Sequence, residues 1–352
     1  MKLLILGGTL FLGRHFVTAA LAAGYTVTVL HRGRMKTEPI TGVEHLIGDR
    51  ECDLESLTKG REWDVVVDTS CYLPRVMRAS LEALRDKTGF YVFVSTISVY
   101  EFDTPEIHEN SRTLPAVPEN PEDVNWQGPG YGAKKRSCEE ILQQAMPHAH
   151  LVVRPGIITG PYDFTCRATY WIERLHYDGP IVTMRDGSVP IQWIDARDLS
   201  EWALRMAQAR KCGAFNLAGP ERTFQSRQLY TVCEKIAGRT GDWVYLPTDF
   251  VKTLDAWHLP GGCLGVSYPE HDNFSKVSSA MAFANGLTCR DPEVTFADTY
   301  ECARKWSFDY YRTATGNRSL YKPINEVLQM EKVLLEKYSK WKPGASRPSA
   351  QP

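Results

Sequence analysis

The stretch MKLLILGGTLFLG, residues 1–13, decides the fold. Its apolar run Leu3–Leu6 is typical of a parallel β-strand that is buried on both faces. The glycines after it predict a dinucleotide-binding turn, in which Gly7 makes the tight turn and Gly13 lets a helix that begins near Phe11 pack closely on the strand. The N-terminus of such a helix favours a phosphate group. The sequence therefore predicts a strand that leads into a coenzyme-binding turn.

One position departs from the usual form of this turn. A three-glycine spacing from Gly7 would put the middle glycine at residue 10, where the chain has Leu10, and a displaced glycine stands at Gly8. A glycine-rich turn is a weak signal alone, because an ordinary buried strand can also end in one. In addition to the two glycines at its ends, the turn residues predicted to contact the coenzyme are Thr9, Leu10, Phe11 and Leu12.

The composition is that of an ordinary globular protein and limits the classes of function. The chain has 352 residues, 43% hydrophobic and 24% charged, with a formal net charge of −1, so it has no global attraction to nucleic acid or to an anionic membrane. Its 9 cysteines include no Cys-x-x-Cys pair, which predicts reduced thiols and neither a zinc site nor a disulfide scaffold. With no apolar run long enough for a signal peptide or a membrane span, we expect a cytoplasmic protein.

Strand and helix patterns alternate through the first half of the chain. A helix over residues 15–23 ends at Gly24, and a second helix is predicted over residues 75–87. The predicted strands after the first cover residues 25–30, 43–47, 63–68 and 90–94. This alternation predicts an α/β fold with a Rossmann-like, doubly wound parallel sheet.

The ends of the second, third and fourth strands carry further candidate coenzyme contacts. The second strand is followed by Arg32 instead of the acidic residue that would hold an NAD ribose, which favours NADP(H) over NAD(H), although a solvated basic loop would have the same sequence. Asp49 could accept a hydrogen bond from an adenine amino group or could cap the next helix. The remaining predicted contacts at these strand ends are Arg50, Thr69, Ser70 and Cys71.

A candidate acid/base pair follows the fifth strand. Tyr131 and Lys135 are four residues apart, so they share a face of a helix that is predicted to run to about residue 144. A nearby ammonium group stabilises a phenolate and lowers its pKa, which makes the phenol a usable acid or base. The hydroxyl of Thr96, at the end of the fifth strand, could orient a substrate oxygen beside this pair.

These motifs and their order resemble the extended short-chain dehydrogenase/reductase family, the NAD-dependent epimerase/dehydratase group, over residues 2–220. The resemblance implies that Tyr131 transfers the proton, that Lys135 holds the nicotinamide ribose and lowers the pKa of the tyrosine, and that Thr96 positions the reacting oxygen. It also implies that a sixth strand and a loop bring Pro155 and Ile157 to the nicotinamide. A homodimer is expected from the resemblance alone.

Two departures from the family pattern narrow the expected reaction. Dehydratases of sugar nucleotides carry an Asp-Glu pair after the catalytic threonine, where this chain has Ile97 and Ser98, so elimination of water by that route is not expected. The position of an arginine that contacts the substrate diphosphate in sugar-nucleotide enzymes is occupied by Ile191. This counts against a nucleotide-sugar substrate, unless another arginine substitutes: Arg167, Arg174 or Arg185.

The rest of the chain predicts a discontinuous second domain. We expect a dinucleotide-binding domain over residues 1–160, rejoined by residues 191–220, and a substrate-binding region over residues 161–190 and 221–322. Residues 323–342 are typical of an amphipathic helix that packs on its own domain or on a second subunit, and residues 343–352 are expected to be disordered. Asp198 is interpreted as a helix cap. The candidate substrate contacts are Ser98, Tyr170, Arg174 and Trp193.

Three functional hypotheses follow. The first is an NAD(P)-dependent oxidoreductase of the carbonyl reductase or alcohol dehydrogenase type, acting on a small molecule with Tyr131 as general acid/base. The second is an epimerase that retains its coenzyme and acts on a sugar or a sugar nucleotide. The third is a non-catalytic nucleotide- or RNA-binding protein, suggested by Leu10, whose side chain could crowd a pyrophosphate. No metal site is expected, because histidines such as His258 and His271 lack ligand spacing.

Overall fold

The computed structural model describes residues 1–34, 40–118, 130–254, 275–306 and 324–343. Its main feature is a seven-stranded sheet in the order β10-β6-β5-β4-β1-β2-β3, in which every neighbouring pair is parallel. The strands of this sheet are β1 (Lys2–Leu6), β2 (Thr26–His31), β3 (Glu44–Ile47), β4 (Val65–Asp68), β5 (Tyr91–Val94), β6 (His150–Pro155) and β10 (Gly213–Leu217). The predicted fold class, an α/β protein with a Rossmann-like parallel sheet, is confirmed.

Strand β1 lies next to β4, the central strand of the sheet, and is buried on both faces. Its residues Leu3–Leu6 have no exposed surface, and Ile5 pairs with Val29 of β2 on one side and with Val67 of β4 on the other. Continuous apolar runs form such strands because helices cover both faces of a parallel sheet. This position of β1 brings the glycine turn after it to an interior point of the carboxyl edge, the edge at which doubly wound sheets bind their ligands.

Two smaller sheets follow in the second half of the chain. One has three strands in the order β11-β9-β7, and the other is a parallel pair of β12 and β8. Their strands are β7 (Ile157–Thr159), β8 (Ile181–Met184), β9 (Pro190–Asp195), β11 (Gly219–Gln225) and β12 (Trp243–Leu246).

The helices of the described ranges separate the strands as the alternation predicted. They are α1 (Leu12–Ala22), α2 (Leu54–Thr58), α3 (Pro74–Leu84), α4 (Tyr131–Ala145), α5 (Thr169–Leu175), α6 (Ala196–Gln208), α7 (Ser226–Ala237), α8 (Thr248–Val251), α9 (Ala280–Ala284), α10 (Pro292–Trp306) and α11 (Ile324–Lys340). Short 3₁₀ turns cover Arg85–Lys87 and Ile97–Val99. Across the described ranges, no helix combines the length and apolar character that crossing a membrane requires.

The chain forms two compact units. Unit 1 contains residues 1–158, 193–221 and 277–289, and unit 2 contains residues 159–192, 222–276 and 290–352. Sequence reasoning did not assign residues 277–289 to the nucleotide-binding part. They lie beside β10, where Asn216 Nδ2 donates to the carbonyl of Ser278 at 3.1 Å. The substrate-binding role expected for the second region stays a prediction.

Unit 2 has its own core, and the C-terminal helix is part of it. The rings of Trp171 and Tyr230 lie 4.9 Å apart, and Trp243 stacks on Tyr230 at 4.3 Å. In α11, Leu334 is buried against the β8–β12 pair. Of the two alternatives for this helix, packing on its own domain is therefore observed. The predicted disorder of residues 343–352 concerns positions that, apart from residue 343, lie outside the described residues.

One helix cap differs from the prediction. Asp195, not Asp198, is the N-cap of α6, and its carboxylate accepts a hydrogen bond from the backbone N–H of Arg197 at 2.8 Å. Asp198 lies in the first turn of the helix. The prediction placed the cap three residues too late, because an aspartate interacts favourably with a helix N-terminus both at the N-cap and in the first turn.

Candidate active site

The turn after β1 is closed by direct contact between its two end glycines. Gly7 has a φ of +91°, and a Cβ added at Gly13 would lie 2.2 Å from the carbonyl oxygen of Gly7. Helix α1 can therefore start against the turn only because residue 13 has no side chain. The helix begins at Leu12, preceded by Phe11 with a φ of 36°, a conformation that side-chain-bearing residues rarely adopt.

The displaced glycine at position 8 has a packing role. A Cβ at Gly8 would lie 2.6 Å from Cγ1 of Val29, so close approach of the turn to β2 requires glycine here. Leu10 is half-buried, as is Thr9, and the carbonyl of Leu10 accepts a hydrogen bond from the N–H of Gly13 at 3.0 Å. The middle of the turn is thus fixed by its own backbone although it lacks the usual glycine.

The end of β4 lies directly against this turn. Thr69 Oγ1 donates to the carbonyl of Leu6 at 3.0 Å, and a Cβ at Gly7 would lie 2.8 Å from that same hydroxyl oxygen. The Ser70 hydroxyl lies 3.3 Å from the Leu6 carbonyl. The structure therefore brings Thr69 and Ser70 together with the glycine turn.

Arg50 is held by a buried carboxylate next to this point. Its two terminal nitrogens donate to Asp68 at 2.6 and 2.7 Å and also reach the hydroxyls of Ser70 and Ser80. Burial alone would raise the pKa of Asp68, but the charge and hydrogen bonds of Arg50 outweigh it and hold that pKa below its usual value. Arg50 thus fixes the end of β4, and its predicted coenzyme contact stays a prediction.

The residues expected to contact the adenosine part of the coenzyme follow the neighbouring strands β2 and β3. Arg32 is exposed and follows β2 directly. Asp49 follows β3 and accepts a hydrogen bond from the N–H of Glu51 at 3.1 Å. The alternative in which it caps the next helix is wrong, because Asp53 occupies the N-cap position of α2.

Helix α4 contacts the 3₁₀ turn after β5, and these two elements carry or adjoin the predicted catalytic residues. A Cβ at Gly132 would lie 1.8 Å from the carbonyl oxygen of Ser98, so the first turn of α4 rests on that backbone. Thr96 Oγ1 accepts a hydrogen bond from the N–H of Ser98 at 3.1 Å and lies 3.2 Å from its hydroxyl. Tyr131 is the half-buried first residue of α4, so the helix turn that carries it rests on the 3₁₀ turn that follows Thr96.

Lys135 extends from the same helix to the ends of β5 and β4. Its ammonium donates to the carbonyl of Val94 at 2.6 Å and to the carbonyl of Cys71 at 2.8 Å, and it lies 4.1 Å from the centre of the Phe93 ring. Burial lowers the pKa of Lys135. Two of its three N–H bonds are thus used to fix it at the carboxyl edge of the sheet, and its effect on Tyr131 stays a prediction.

A buried ion pair that sequence reasoning missed fixes α4 from the other side. Arg154 of β6 makes two hydrogen bonds to Glu139 of α4, at 3.0 and 2.7 Å, and donates to the hydroxyl of Tyr100 at 2.7 Å. Tyr100 in turn donates to Asn216 of β10 at 2.8 Å. Spacing within α4 alone could not indicate these partners, because they come from distant parts of the chain.

The candidate substrate contacts have different environments. The guanidinium of Arg174 is buried and donates to Glu331 of α11 at 2.7 Å, to the carbonyl of Tyr177 at 2.8 Å and to that of Pro180 at 2.9 Å. The prediction that Arg174 contacts substrate is therefore wrong, because all three of its nitrogens are engaged inside unit 2. Tyr170 and Trp193 are also buried, at 4% exposure each.

The remaining predicted residues lie at the end of β6 and beyond it. Pro155 is the last residue of β6, and Ile157 is the half-buried first residue of β7. Gly156 between them packs on β10, because a Cβ there would lie 3.3 Å from that of Ala218. Within the described ranges there is no group of three or more residues able to hold a metal ion, and His258 and His271 lie outside those ranges.

Sequence comparison identifies the family over more than half of the chain. The model of the NAD dependent epimerase/dehydratase family matches residues 3–218. A curated relative, the chloroplast stem-loop binding protein of 41 kDa b from Arabidopsis thaliana, is 26% identical over 254 residues, or 67% of this chain. The matched part covers 63% of the length of that relative.

Solved structures of similar fold include epimerases of sugar nucleotides. UDP-glucuronic acid 4-epimerase from Bacillus cereus, in complex with NAD, has a TM-score of 0.63 and 16% identity, covering 91% of this chain and 99% of its own. The UDP-Glc/GlcNAc 4-epimerase from Campylobacter jejuni also has a TM-score of 0.63 and 16% identity, covering 86% and 99%. With the family model and the fold in agreement, the chain belongs to the NAD-dependent epimerase/dehydratase family.

Proposed function

We propose that the protein is a nicotinamide-dependent oxidoreductase that moves a hydride between NADP(H) or NAD(H) and a carbonyl or alcohol carbon of a small molecule. The observation that supports this proposal is the contact of Gly132 with the carbonyl of Ser98, because it joins the first turn of α4, which begins at Tyr131, to the 3₁₀ turn that follows Thr96. The glycine turn at the carboxyl edge of the same sheet supports coenzyme binding.

In this proposal Tyr131 is the general acid/base. Its phenol oxygen gives a proton to a carbonyl oxygen during reduction, or takes one from an alcohol during oxidation. Thr96 holds the reacting oxygen by a hydrogen bond, and Lys135 keeps a positive charge near the phenolate. The nicotinamide, when bound, supplies or accepts the hydride.

The coenzyme preference proposed here is NADP(H). Arg32 stands directly after β2, where an acidic residue would favour the free ribose hydroxyl of NAD(H). An arginine can instead pair with the 2′-phosphate of NADP(H). A similar structure holds NAD, so both coenzymes belong in the test.

The test compares Tyr131→Phe with the parent protein on a substrate found by screening aldehydes and alcohols with NADPH and NADP⁺. Loss of a general acid/base typically lowers the rate by about 10²–10⁴-fold, and we expect kcat to decrease by a factor in that range. The dissociation constant of NADPH should stay within about twofold. Full turnover by the phenylalanine variant would remove the proposed role of Tyr131.

A coenzyme-retaining epimerase is the second candidate, because the similar structures described above are named as epimerases of sugar nucleotides. Such an enzyme uses the same tyrosine but consumes no net NAD(P)H. Tightly bound coenzyme in the purified protein, with inversion at one carbon of UDP-glucose and no change in absorbance at 340 nm, would favour this candidate over the reductase.

The relative named for stem-loop binding supports a third candidate, RNA association. The net charge of −1 opposes it, because non-specific RNA binding depends on basic surfaces. Filter binding of a stem-loop RNA at moderate salt, beside a titration with NADPH, distinguishes an RNA-binding protein from a nicotinamide-dependent enzyme.

The expected homodimer is tested in the same preparation by light scattering.

A further inference from the structure

A tyrosine outside the predicted catalytic set lies against both members of the acid/base pair. Tyr72 follows β4, and its ring centre is 6.4 Å from that of Tyr131 and 5.2 Å from the ammonium nitrogen of Lys135. Ring centres about 4.5–7 Å apart are typical of interacting aromatic pairs, and a cation within about 6 Å of a ring face is attracted to it. One half-buried side chain thus contacts both groups.

The backbone on either side of Tyr72 is fixed by hydrogen bonds. The carbonyl of Cys71 accepts from the Lys135 ammonium at 2.8 Å. The carbonyl of Leu73, the N-cap residue of α3, accepts from the backbone N–H of Val76 at 3.1 Å. The ring of Tyr72 is therefore carried by a short segment that is held at both ends, and Lys135 itself holds one of them.

The ammonium of Lys135 is buried without an ion pair of its own. The residue is 2% exposed, and no carboxylate in the described parts of the chain forms a salt bridge with it. The two carboxylates whose charges act on it, Asp68 and Glu139, are held by Arg50 and Arg154. The cation therefore depends on two backbone carbonyls and on the aromatic rings beside it.

The ionisable groups around Lys135 oppose the effect of burial, which lowers the pKa of its ammonium. These groups come from β4, from the segment after it and from α4: Cys138, Cys71, Asp68 and Glu139. The face of an aromatic ring also stabilises an ammonium from which water is excluded. Two rings contact this one, Phe93 at 4.1 Å and Tyr72 at 5.2 Å, and of the two Tyr72 alone is described in contact with Tyr131 as well.

We propose that Tyr72 is a positioning residue for the acid/base pair, whose ring face holds the Lys135 ammonium in its charged form and whose contact with the Tyr131 ring keeps the phenol next to that charge. This inference rests on the proposed function, because it assumes that Tyr131 transfers a proton. It assigns the effect to the ring of Tyr72 and not to its hydroxyl, so the two are tested separately.

The first experiment follows the ionisation of Lys135 without any substrate. In full-length protein labelled with ¹³C at the lysine Cε, the Lys135 signal is assigned by its absence from Lys135→Met, and its titration midpoint is measured by NMR. Tyr72→Phe keeps the ring, whereas Tyr72→Leu removes it. We expect Tyr72→Leu to lower the midpoint by about 0.4–0.7 pH unit, the loss of one cation–π contact, and Tyr72→Phe to titrate as the parent does.

A second variant keeps this test valid if Tyr72→Leu does not fold. Pentafluorophenylalanine at position 72 retains an aromatic ring, but its fluorines withdraw electron density from the ring face, so it should lower the midpoint as leucine does. Tyr177→Leu makes the same change at an exposed tyrosine of unit 2 and should leave the Lys135 midpoint unchanged.

The second experiment measures the pH dependence of oxidation. With NADP⁺ and an alcohol found in the screen described above, kcat should rise with pH as Tyr131 loses its proton. Tyr72→Leu should move this rise to higher pH, because the phenolate is stabilised less, and should lower kcat about two- to fivefold at pH 7.5. A substitution that only disturbed the fold would lower kcat by the same factor at every pH.

The outcomes separate this inference from the proposed function. The inference is overturned if the leucine and pentafluorophenylalanine variants titrate as the parent does, or if Tyr72→Phe lowers the midpoint as far as leucine, which would assign the effect to the hydroxyl. An unshifted pH profile of kcat in Tyr72→Leu would also overturn it. Full turnover by Tyr131→Phe would instead contradict the proposed function, and the titration of Lys135 decides the ring contact whether or not a substrate is found.

Discussion

At the scale of single residues, the site depends on glycines that allow backbones to touch. Gly13 lets α1 meet the turn after β1, and Gly132 lets α4 meet the turn after β5. In both contacts the atom that a Cβ would meet belongs to the backbone, which cannot rotate away as a side chain can. In the proposed reaction, Gly13 therefore affects coenzyme binding and Gly132 affects proton transfer.

Gly13→Ala is expected to weaken coenzyme binding. The added Cβ would lie 2.2 Å from the Gly7 carbonyl oxygen, so α1 must move away from the turn. This movement also takes the N-terminus of α1 away from the pyrophosphate of a bound coenzyme. We expect the NADPH dissociation constant to rise at least about tenfold, equivalent to about 1.4 kcal/mol. A fluorescence titration with NADPH measures this dissociation constant.

Gly24→Asn is the matched control for this change. It lies just beyond the other end of α1, at a φ of +76° that asparagine tolerates, and an added Cβ there meets nothing within 4 Å. Its NADPH affinity should equal that of the parent. Equal affinity of Gly13→Ala as well would show that this contact is unimportant for the coenzyme.

At the scale of elements, β2 and β3 are joined by a pair of histidines. His45 Nε2 donates to the carbonyl of Ile40 at 2.9 Å, which leaves its Nδ1 to accept from His31 Nε2 at 3.0 Å. His31 Nδ1 then accepts from the N–H of Gly33 at 3.1 Å. This tautomer assignment follows from the hydrogen bonds, and it requires both rings to be neutral.

The pair predicts a pH effect on stability. Burial, and then the charge on His45, lower the pKa of His31 below its unfolded value of 6.5, so the unfolded chain binds the proton more tightly. This contribution to stability is present above pH 6.5 and is lost as the pH falls through the folded pKa. Between pH 7.5 and 5, we expect His31→Gln to lose less thermal stability than the parent does.

The exposed His148 supplies a control for that measurement. His148→Gln should show the same dependence of melting temperature on pH as the parent. If His31→Gln also follows the parent, the histidine pair has no part in the acid sensitivity of the fold.

The C-terminal helix depends on the Arg174–Glu331 ion pair. Glu331→Ala leaves the buried arginine without its counter-charge, a change that typically costs about 3–5 kcal/mol. We expect the urea midpoint to fall accordingly. Glu293→Ala breaks the exposed pair with Lys235 and should change the free energy of unfolding by no more than about 1 kcal/mol. Equal effects of the two substitutions would contradict a special role for the buried pair.

The elements that sequence could predict are those with local signals. An apolar run followed by glycines located β1 and its turn, and the four-residue spacing of Tyr131 and Lys135 placed both on α4. Arg174 was assigned wrongly because its partner Glu331 lies 157 residues away in the sequence.

At the scale of the whole molecule, the family assignment and the fold agree on a nucleotide-binding sheet with its ligand edge at the carboxyl ends of the strands. Unit 1 contains the glycine turn, Thr96, Tyr131 and Lys135, so the proposed coenzyme and acid/base functions belong to one compact unit.

The most direct test of the central claim is a fluorescence titration of the purified protein with NADPH and with NADH. We expect saturable binding of one coenzyme per chain, with NADPH bound more tightly than NADH because of Arg32. Weaker binding of NADPH than of NADH would contradict only the assigned preference. Absence of saturable binding by either coenzyme, in protein first freed of any bound nucleotide, would contradict the claim that this is a nicotinamide-dependent enzyme.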